Sequence, residues 1–263
     1  MKPDYKNWVP KAMIYGMFAA TAFALAGFVV FGVLGIGAQG PLRVALGVLF
    51  GIACLACAKY AEWCIHAYKT FSYDGERKLS KQIVEGTAAY VVLPDGGRGL
   101  DVGCGSGALT IACAKRNPRA EMVGIDRWGK DYASFSLPLC ERNAKAEGAA
   151  NTRFLRGNAL KLDFPDESFD AVTSNYVYHN ITGADKQKLL LETLRVLKKG
   201  GVFAIHDLMG PARYGDMDAF VRKLKEQGYE KVERIDTTNG LFMTRKEAKR
   251  LMLRDSTLLV GRK

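Results

Sequence analysis

Two long uncharged apolar runs open the chain. No charged residue lies between Ala12 and Leu42, Arg43 then interrupts, and Val44 to Ala58 is again uncharged. A helix needs about 20 apolar residues to cross the hydrocarbon core of a bilayer. The link between the runs, QGPLR, contains the helix breakers Gly40 and Pro41. The pattern predicts an N-terminal membrane anchor, residues 1–64, whose two transmembrane helices, about 12–37 and 42–64, form a hairpin.

Two other interpretations of this region stay open. A cleaved signal peptide is one, since GIGAQ loosely resembles a cleavage site, but signal cores span only about 7–15 residues. Buried helices of a soluble protein are the other. Basic residues flank the runs on their outer sides, and the positive-inside rule therefore places both termini and everything after about residue 65 in the cytoplasm, on the inner membrane. Gly47 and Gly51 share a helix face, which permits close helix contact and a homodimer through the hairpin.

Apolar positions at helical spacing continue in a connector over residues 65–98. They predict an amphipathic helix ended by PDGG, and its apolar positions are Leu79, Ile83, Val84, Ala88, Val91 and Val92.

From residue 99 to 263 short apolar strands alternate with amphipathic helices. Such alternation predicts an α/β domain with a parallel sheet and helices on both faces. We expect Pro138 to kink the second helix of this domain and Gly200–Gly201 to cap the third. The predicted strands lie in GRGLDVGC, EMVGIDR, TRFLRGNA, FDAVTSNYV, GVFAIHDL, EKVERIDTT and STLLVGRK, and the helices in GALTIACAKRNP, YASFSLPLCERNAKAEGA, ADKQKLLLETLRVLKKGG and MDAFVRKLKEQGY.

Charge and cysteine content narrow the function classes. The net charge is +11, but no basic block alternates with aromatic residues, which argues against a nucleic-acid partner. A basic face toward anionic lipid headgroups and an ordinary solvated surface are equally compatible with this charge. Cys54 and Cys57 have a metal-like spacing inside an apolar helix without another ligand nearby, so we interpret them as packing residues and predict no metal site.

The stretch LDVGCGSGAL, residues 100–109, joins a strand to a helix through three glycines. Such a turn lets a ligand approach the backbone at a helix N-terminus. Asp101 would repel a pyrophosphate but attract an ammonium group, directly or through water. Asp126 lies about 20 residues beyond the turn, where an acidic side chain pairs with ribose hydroxyls. No lysine follows the glycines, so the turn is not a Walker loop. A ribose with an amino-acid tail and no phosphate fits, which describes S-adenosylmethionine.

The motifs LDVGCGSGAL, VGIDRW, RGNALKLDFPDESFDAV and LRVLKKGGVFAIHD, in this order, resemble those of class I S-adenosylmethionine-dependent methyltransferases over about residues 80–263. The resemblance implies a doubly wound Rossmann-like seven-stranded sheet whose last strand, STLLVGRK, is antiparallel. It also implies S-adenosylmethionine as cofactor and S-adenosylhomocysteine as product.

The same resemblance implies which residues bind the cofactor. Asn175 would line its reactive end, and Arg127 or Trp128 would lie against the adenine face. Asn158 departs from the acidic residue that this family commonly places near the adenine amino group. The full implied set is Asp101, Gly103, Cys104, Gly105, Gly107, Asp126, Arg127, Trp128, Asn158, Ala159 and Asn175.

Catalytic candidates follow the fourth strand in SNYVYHNI, residues 174–181, at the carboxyl end of the sheet, where ligands bind in such folds. The imidazole of His179 can take a proton from a thiol, phenol or amine. Tyr178, with Tyr176, would shape the pocket, and Asp207 ends the next strand after His206. We therefore predict His179, Tyr178 and Asp207 as catalytic residues. A merely hydrogen-bonded loop histidine is the alternative for His179.

These residues predict a membrane-anchored methyltransferase acting on a small or lipophilic thiol, phenol, quinol or amine. SNYV lacks the Asn-Pro-Pro-Tyr pattern of base and amide methyltransferases, which argues against DNA or glutamine as acceptor. A non-catalytic S-adenosylmethionine-binding membrane protein and a nicotinamide-dependent oxidoreductase are the alternatives. The late segment TTNGLFMTRKEAKRLML either covers the acceptor, touches lipid or packs internally.

Overall fold

The computed structural model describes residues 2–129 and 134–263. The chain consists of two compact units. One is Asn7–Ser80, and the other contains the described residues of Met1–Lys6 and Lys81–Lys263.

The first unit is a helical hairpin. Helix α1, Lys11–Gly27, continues as π-helical turns over Phe28–Val33, and helix α2 spans Gly40–Phe71. Pro41 occupies the first turn of α2, where its missing N–H has no intrahelical partner anyway. Both Lys11–Val33 and Gly40–Phe71 are long and apolar enough to cross a membrane by length and composition. Large apolar side chains point outward, such as Phe23, 75% exposed, and Leu55, 70% exposed, unlike those of a soluble core helix.

Small residues bring the two helices together. A Cβ on Gly32 would lie 2.8 Å from the Cα of Gly47, and one on Gly27 would lie 2.5 Å from the Phe50 ring. The Gly47 surface is therefore used inside the hairpin, and the homodimer through it stays a prediction. Helix α2 also continues to Phe71. It therefore extends beyond the expected end at residue 64 and includes the first residues of the expected connector.

The second unit contains a seven-stranded sheet in the order β3-β2-β1-β4-β5-β7-β6. Neighbouring strands are parallel except that β7 runs antiparallel to both β5 and β6. This confirms the predicted doubly wound α/β fold with an antiparallel last strand. The strands are β1 Arg98–Val102, β2 Glu121–Asp126, β3 Thr152–Arg156, β4 Phe169–Asn175, β5 Leu197–Leu208, β6 Glu230–Asp236 and β7 Ser256–Arg262.

The predicted helices accompany the sheet in the expected order, and the short helix Pro211–Tyr214, which was not predicted, lies among them. The amphipathic helix α3 buries Leu79, Ile83, Val84 and Ala88, whereas Val92 lies beyond its end and is 73% exposed. The helices are α3 Leu79–Ala88, α4 Ala108–Arg116, α5 Leu137–Glu147, α6 Lys186–Arg195, α7 Pro211–Tyr214, α8 Met217–Glu226 and α9 Arg245–Arg250, with a short 3-10 turn at Tyr178–Asn180.

Two expected features of these helices are wrong. Pro138 does not kink a helix but lies in the first turn of α5, behind the N-cap Ser136. The expected earlier start of this helix, Tyr132 and Ala133, lies outside the described residues. Gly200 and Gly201 belong to β5 instead of capping α6, because the Gly200 N–H donates to Lys263 O at 2.6 Å and Lys263 N–H donates to Gly201 O at 2.9 Å.

Four strands of the sheet end at the same edge. Register partners on one face of the sheet, Leu100, Val172 and Phe203, are at most 1% exposed, and so are Asp101, Thr173 and Ala204 on the other face. Both faces of the sheet are therefore covered. Because these strands are parallel, the ends of β1, β2, β4 and β5 meet at the same carboxyl edge.

Candidate active site

The glycine turn closes the carboxyl end of β1 against β2. The N–H groups of Gly103 and Cys104 donate to Ile125 O at 2.8 and 2.9 Å. A Cβ on Gly103 would lie 2.4 Å from Cγ2 of Val177. The turn therefore contacts the segment after β4, and only glycine fits at this contact. Three residues of the turn have positive φ: Gly103, 75°, Gly105, 56°, and Gly107, 81°.

Asp101 lies behind this turn and is 1% exposed. Its oxygens accept hydrogen bonds from the hydroxyls of Thr110 at 2.6 Å and Thr173 at 3.0 Å. Burial raises the pKa of Asp101 to about 6, against the lowering effect of the two threonine bonds. Because both oxygens of Asp101 already accept hydrogen bonds, we expect the carboxylate to attract the ammonium group of a ligand from behind the loop or through a water molecule, and not by direct contact.

Cys104 takes part in the turn through its backbone. Its side chain is buried, and burial raises the pKa of its thiol well above the usual value. The neighbouring Cys140 on α5 donates from Sγ to Gly105 O at 3.2 Å. Cys104 thus contributes a backbone surface to the predicted cofactor site and no thiolate.

Asp126 ends β2 directly opposite the turn and is partly exposed. Its Oδ2 accepts from the Gly105 N–H at 2.9 Å, and its Oδ1 accepts from the Trp128 N–H at 2.9 Å. The Trp128 indole donates from Nε1 to Gly105 O at 2.9 Å, so its ring lies on the glycine turn. Arg127 is exposed. Of the two residues proposed for the adenine face, Trp128 is the one held at the turn.

Asn158 and Ala159 follow β3 at the same edge, since Gly157 N–H donates to Asp126 O at 3.0 Å. Asn158 is exposed, and its Oδ1 accepts from the Leu160 N–H at 3.1 Å. Ala159 packs against the apolar core. This leaves the Asn158 amide nitrogen as the side-chain donor at this position.

Asn175 ends β4 and is held by His206 of β5. The His206 ring N–H at Nδ1 donates to Asn175 Oδ1 at 2.8 Å, while Nε2 lies 3.0 Å from the hydroxyls of Thr237 and Ser256. His206 is fully buried, and this lowers its pKa to about 3. The neutral ring therefore orients Asn175 and is no proton acceptor for a substrate.

His179 and Asp207 form a second hydrogen-bonded pair at the ends of β4 and β5. Asp207 directly follows His206 in β5, so the two side chains point to opposite faces of the sheet. His179 Nδ1 lies 2.5 Å from Asp207 Oδ1, with side-chain exposures of 17% and 0%. Hydrogen bonds from His179 and from neighbouring groups lower the pKa of Asp207 despite its burial. The carboxylate can only accept, so His179 donates from Nδ1 and keeps Nε2 available as a proton acceptor. Both residues were predicted from the sequence, and the structure brings them together.

Tyr178 does not line the site. Its side chain is fully buried, and its hydroxyl lies 2.5 Å from that of Thr193 on α6. Its backbone N–H donates to Asp207 Oδ2 at 2.8 Å. The predicted catalytic role of Tyr178 is therefore replaced by a structural one, because the turn after β4 points the ring into the core.

Several site residues escaped sequence analysis. Tyr214 of α7 donates its hydroxyl to Asp207 Oδ2 at 2.9 Å, although it lies in PARYG, a stretch with no recognisable pattern. The threonines on Asp101 sit in apolar segments and look like packing residues. Phe242 lies edge-on to His206, with ring centroids 5.3 Å apart. Its segment, TTNGLFMTRKEAKRLML, was singled out in the sequence as a possible cover of the acceptor, but Phe242 itself was not.

A family model described as Methyltransferase domain matches residues 93–254. Curated relatives named demethylmenaquinone methyltransferase include one from Geobacillus kaustophilus, 36% identical over 121 residues, 46% of this chain and 49% of the relative. Another, from Thermus thermophilus, is 39% identical over 114 residues, 43% of this chain and 48% of the relative. The chain thus spans about half the length of the curated relatives that it matches.

Solved structures share the fold at low sequence identity. The cyclase SpnF has a TM-score of 0.54 and 20% identity, covering 70% of this chain and 81% of that one. Geranyl diphosphate methyltransferase, solved with sinefungin, has a TM-score of 0.50 and 16% identity, covering 68% and 76%. At these identities the likeness concerns the fold alone.

Proposed function

The chain belongs to the Methyltransferase domain family, within the class I S-adenosylmethionine-dependent methyltransferases, and we propose that it methylates a quinol-type lipophilic acceptor. The single observation that carries this proposal is the His179–Asp207 pair beside the glycine turn. The pair gives the site a proton acceptor for a phenolic hydroxyl.

The residues at the turn fit the cofactor S-adenosylmethionine. Among the residues that the structure describes, the nearest atom to a Cβ on Gly105 would be in the Phe135 ring, at 3.6 Å, so a ligand can approach that face of the glycine. Asp126 holds two backbone N–H groups and, as a carboxylate, has further lone pairs for ribose hydroxyls. Asp101 supplies negative charge behind the turn. When bound, the cofactor supplies a methyl group activated by a sulfonium.

His179 would take the hydroxyl proton of the acceptor at Nε2. The resulting imidazolium is stabilised by the buried Asp207, which also accepts from Tyr214 and three backbone N–H groups. Loss of the proton makes a hydroquinone oxygen and its adjacent ring carbon nucleophilic. Methylation at the oxygen is then complete, whereas a methylated ring carbon must also lose its hydrogen as a proton to restore the aromatic ring. Positioned proton transfer contributes about 10²–10⁴ in rate, and alignment of the reactants contributes up to about 7–11 kcal/mol.

An aromatic ring beside the pair supports a planar acceptor. The ring centroid of the partly exposed Tyr176 lies 6.0 Å from that of His179, and the two rings are perpendicular. A ring in this position offers an edge or a face for contact with a further aromatic ring. The names of the curated relatives point to the same chemical class, a quinone precursor.

The apolar hairpin suits an acceptor dissolved in the membrane. Two helices of sufficient length and apolar character precede the domain, and tethering raises the local concentration of a lipophilic substrate. We place the domain on the cytoplasmic side of the inner membrane, because basic residues flank both ends of the hairpin.

Transfer of labelled methyl from S-adenosylmethionine tests the proposal. The purified full chain is given a 1,4-naphthohydroquinone with a short prenyl tail, and in parallel a lipophilic thiol, a lipophilic amine and a polar catechol. We expect label in the naphthohydroquinone, with a much smaller yield from His179→Gln. Label only in the thiol, amine or catechol, or none at all despite cofactor binding, would overturn it.

A further inference from the structure

The segment between β6 and β7, residues 237–255, lies at the carboxyl edge of the sheet. Asp236 pairs with Thr257, and Ser256 pairs with Leu208 at the end of β5. We call residues 237–255 the β6–β7 excursion. It therefore leaves and re-enters the sheet at the edge that carries His179 and Asp207.

The inner side of the excursion is packed into the site. Phe242 is 6% exposed, lies edge-on to His206 and leaves no room for a Cβ on Gly86 of α3, which would be 2.2 Å from Phe242 Cε1. Met243, Ala248 and Leu251 are also buried. Because its inner residues are fixed, the excursion presents its outer side in a defined direction.

The outer side combines exposed apolar tips with basic side chains. Leu241 is 47% exposed and Met252 is 63% exposed. Two acidic residues accompany them, and one, Glu247, is engaged by the N-cap Thr244 in a capping box. The exposed basic residues of the excursion are Arg245, Lys246, Lys249, Arg250 and Arg254. Apolar tips within a basic surface are typical of segments that lie on anionic membranes.

We propose that the outer side of the β6–β7 excursion binds anionic lipid headgroups, with Leu241 and Met252 among the upper acyl chains. The charge complementarity selects lipid phosphate as the partner, and the apolar tips select a bilayer surface over free phosphate. This contact turns the site edge toward the bilayer from which a lipophilic acceptor arrives, and in this respect it rests on the proposed function. Each basic residue near an anionic surface favours the bound state by about fivefold.

Depth-dependent fluorescence quenching tests this contact without measuring activity. The full chain is placed in nanodiscs of phosphatidylcholine, with or without phosphatidylglycerol, and a Met252→Cys variant carries an environment-sensitive label. The same label on Lys199→Cys, an exposed position at the opposite edge of the sheet, is the control, and the labelled unsubstituted chain gives the background. With nitroxide lipids we expect quenching at position 252 only, and only with phosphatidylglycerol present.

A triple charge variant tests whether the basic residues bind lipid headgroups or the label is only close to the bilayer. The variant combines Lys246→Gln, Lys249→Gln and Arg254→Gln. It should lower the ratio of bound to unbound excursion by about 100-fold and abolish the quenching. The matched control removes the same charge elsewhere, through Lys188→Gln, Lys223→Gln and Lys225→Gln, which lie on the exposed faces of α6 and α8, and should keep it.

The outcomes distinguish this inference from the proposed function. An unquenched label at position 252, in nanodiscs where the naphthohydroquinone is still methylated, would overturn the lipid contact alone. Quenching without any methylation would support the contact while the proposed function fails. A charge variant that instead dissociates a dimer in sedimentation would assign the surface to a second copy of the chain and overturn the proposal.

Discussion

His179 donates from Nδ1 to Oδ1 of Asp207 across 2.5 Å, and Asp207 is completely buried. The carboxylate accepts further hydrogen bonds from Tyr214 and from the backbone N–H groups of residues 178, 179 and 208. These donors keep it ionised at neutral pH. The relationship fixes the tautomer of His179 and thereby makes Nε2 the proton acceptor of the site.

Replacing His179 by Gln removes this proton acceptor while keeping a polar side chain. We expect kcat on the naphthohydroquinone to fall by about 10²–10⁴-fold, with an unchanged Kd for S-adenosylhomocysteine in calorimetry. Lys188→Gln, an exposed residue of α6, serves as the control. An unchanged kcat would exclude His179 as the base.

Asp126→Asn tests the predicted ribose contact. A hydrogen bond to a charged group contributes about 1.5–3 kcal/mol, so we expect S-adenosylhomocysteine to bind about 10–100-fold more weakly. Asp163→Asn, an exposed carboxylate beyond β3, should leave the Kd unchanged. An analogue without ribose hydroxyls should bind the unsubstituted chain and the Asp126→Asn variant with the same Kd. If the substitution weakens binding of the analogue as much as binding of S-adenosylhomocysteine, Asp126 acts through the loop and not through the sugar.

Gly103→Ala should destabilise the domain for two separable reasons. The residue has a φ of 75°, and its Cβ would lie 2.4 Å from Val177. Left-handed backbone costs about 1–2 kcal/mol and overpacking about 1–3 kcal/mol, so the free energy of unfolding should fall by about 2–5 kcal/mol. Adding Val177→Ala should recover only the overpacking part in urea titrations.

Gly148→Ala is the matched control for this variant. Gly148 has a φ of 67°, but within the described part of the chain a Cβ there would meet nothing within 4 Å. It should show the backbone cost alone. Equal losses for Gly103→Ala and Gly148→Ala, with no recovery by Val177→Ala, would contradict close packing of the glycine turn.

Cofactor affinity should depend on pH through Asp101. Its pKa is raised to about 6 in the free protein, and an ammonium nearby would lower it again on binding. Acidification below pH 6 therefore neutralises a charge that favours the ligand, and the Kd of S-adenosylhomocysteine should rise by up to tenfold per pH unit. Methylthioadenosine has no ammonium and should show a flat profile between pH 5 and 7. Parallel profiles for the two ligands would remove Asp101 from ligand attraction.

The sequence by itself determined the kinds and order of the elements around the sheet. Hydrophobic periodicity is a local property, so β1, α4 and β2 could be identified from a few residues each, as could the apolar hairpin helices. The glycine turn and Asp126 were also visible, because spacing along the chain fixes their places at two neighbouring strand ends.

Only the tertiary structure decided which side chains meet. Gly200 and Gly201 belong to β5 because their backbone pairs with Lys263, a residue more than 60 positions away. Tyr178 and His179 are adjacent in sequence, yet one ring lies in the core and the other faces the site edge. Tyr214 reaches Asp207 because the chain turns back directly after β5. His206 becomes a neutral buried ring through contacts with the distant residues Asn175, Thr237 and Ser256. Burial and hydrogen-bond partners set the protonation and orientation of these groups, and both depend on how the whole sheet closes.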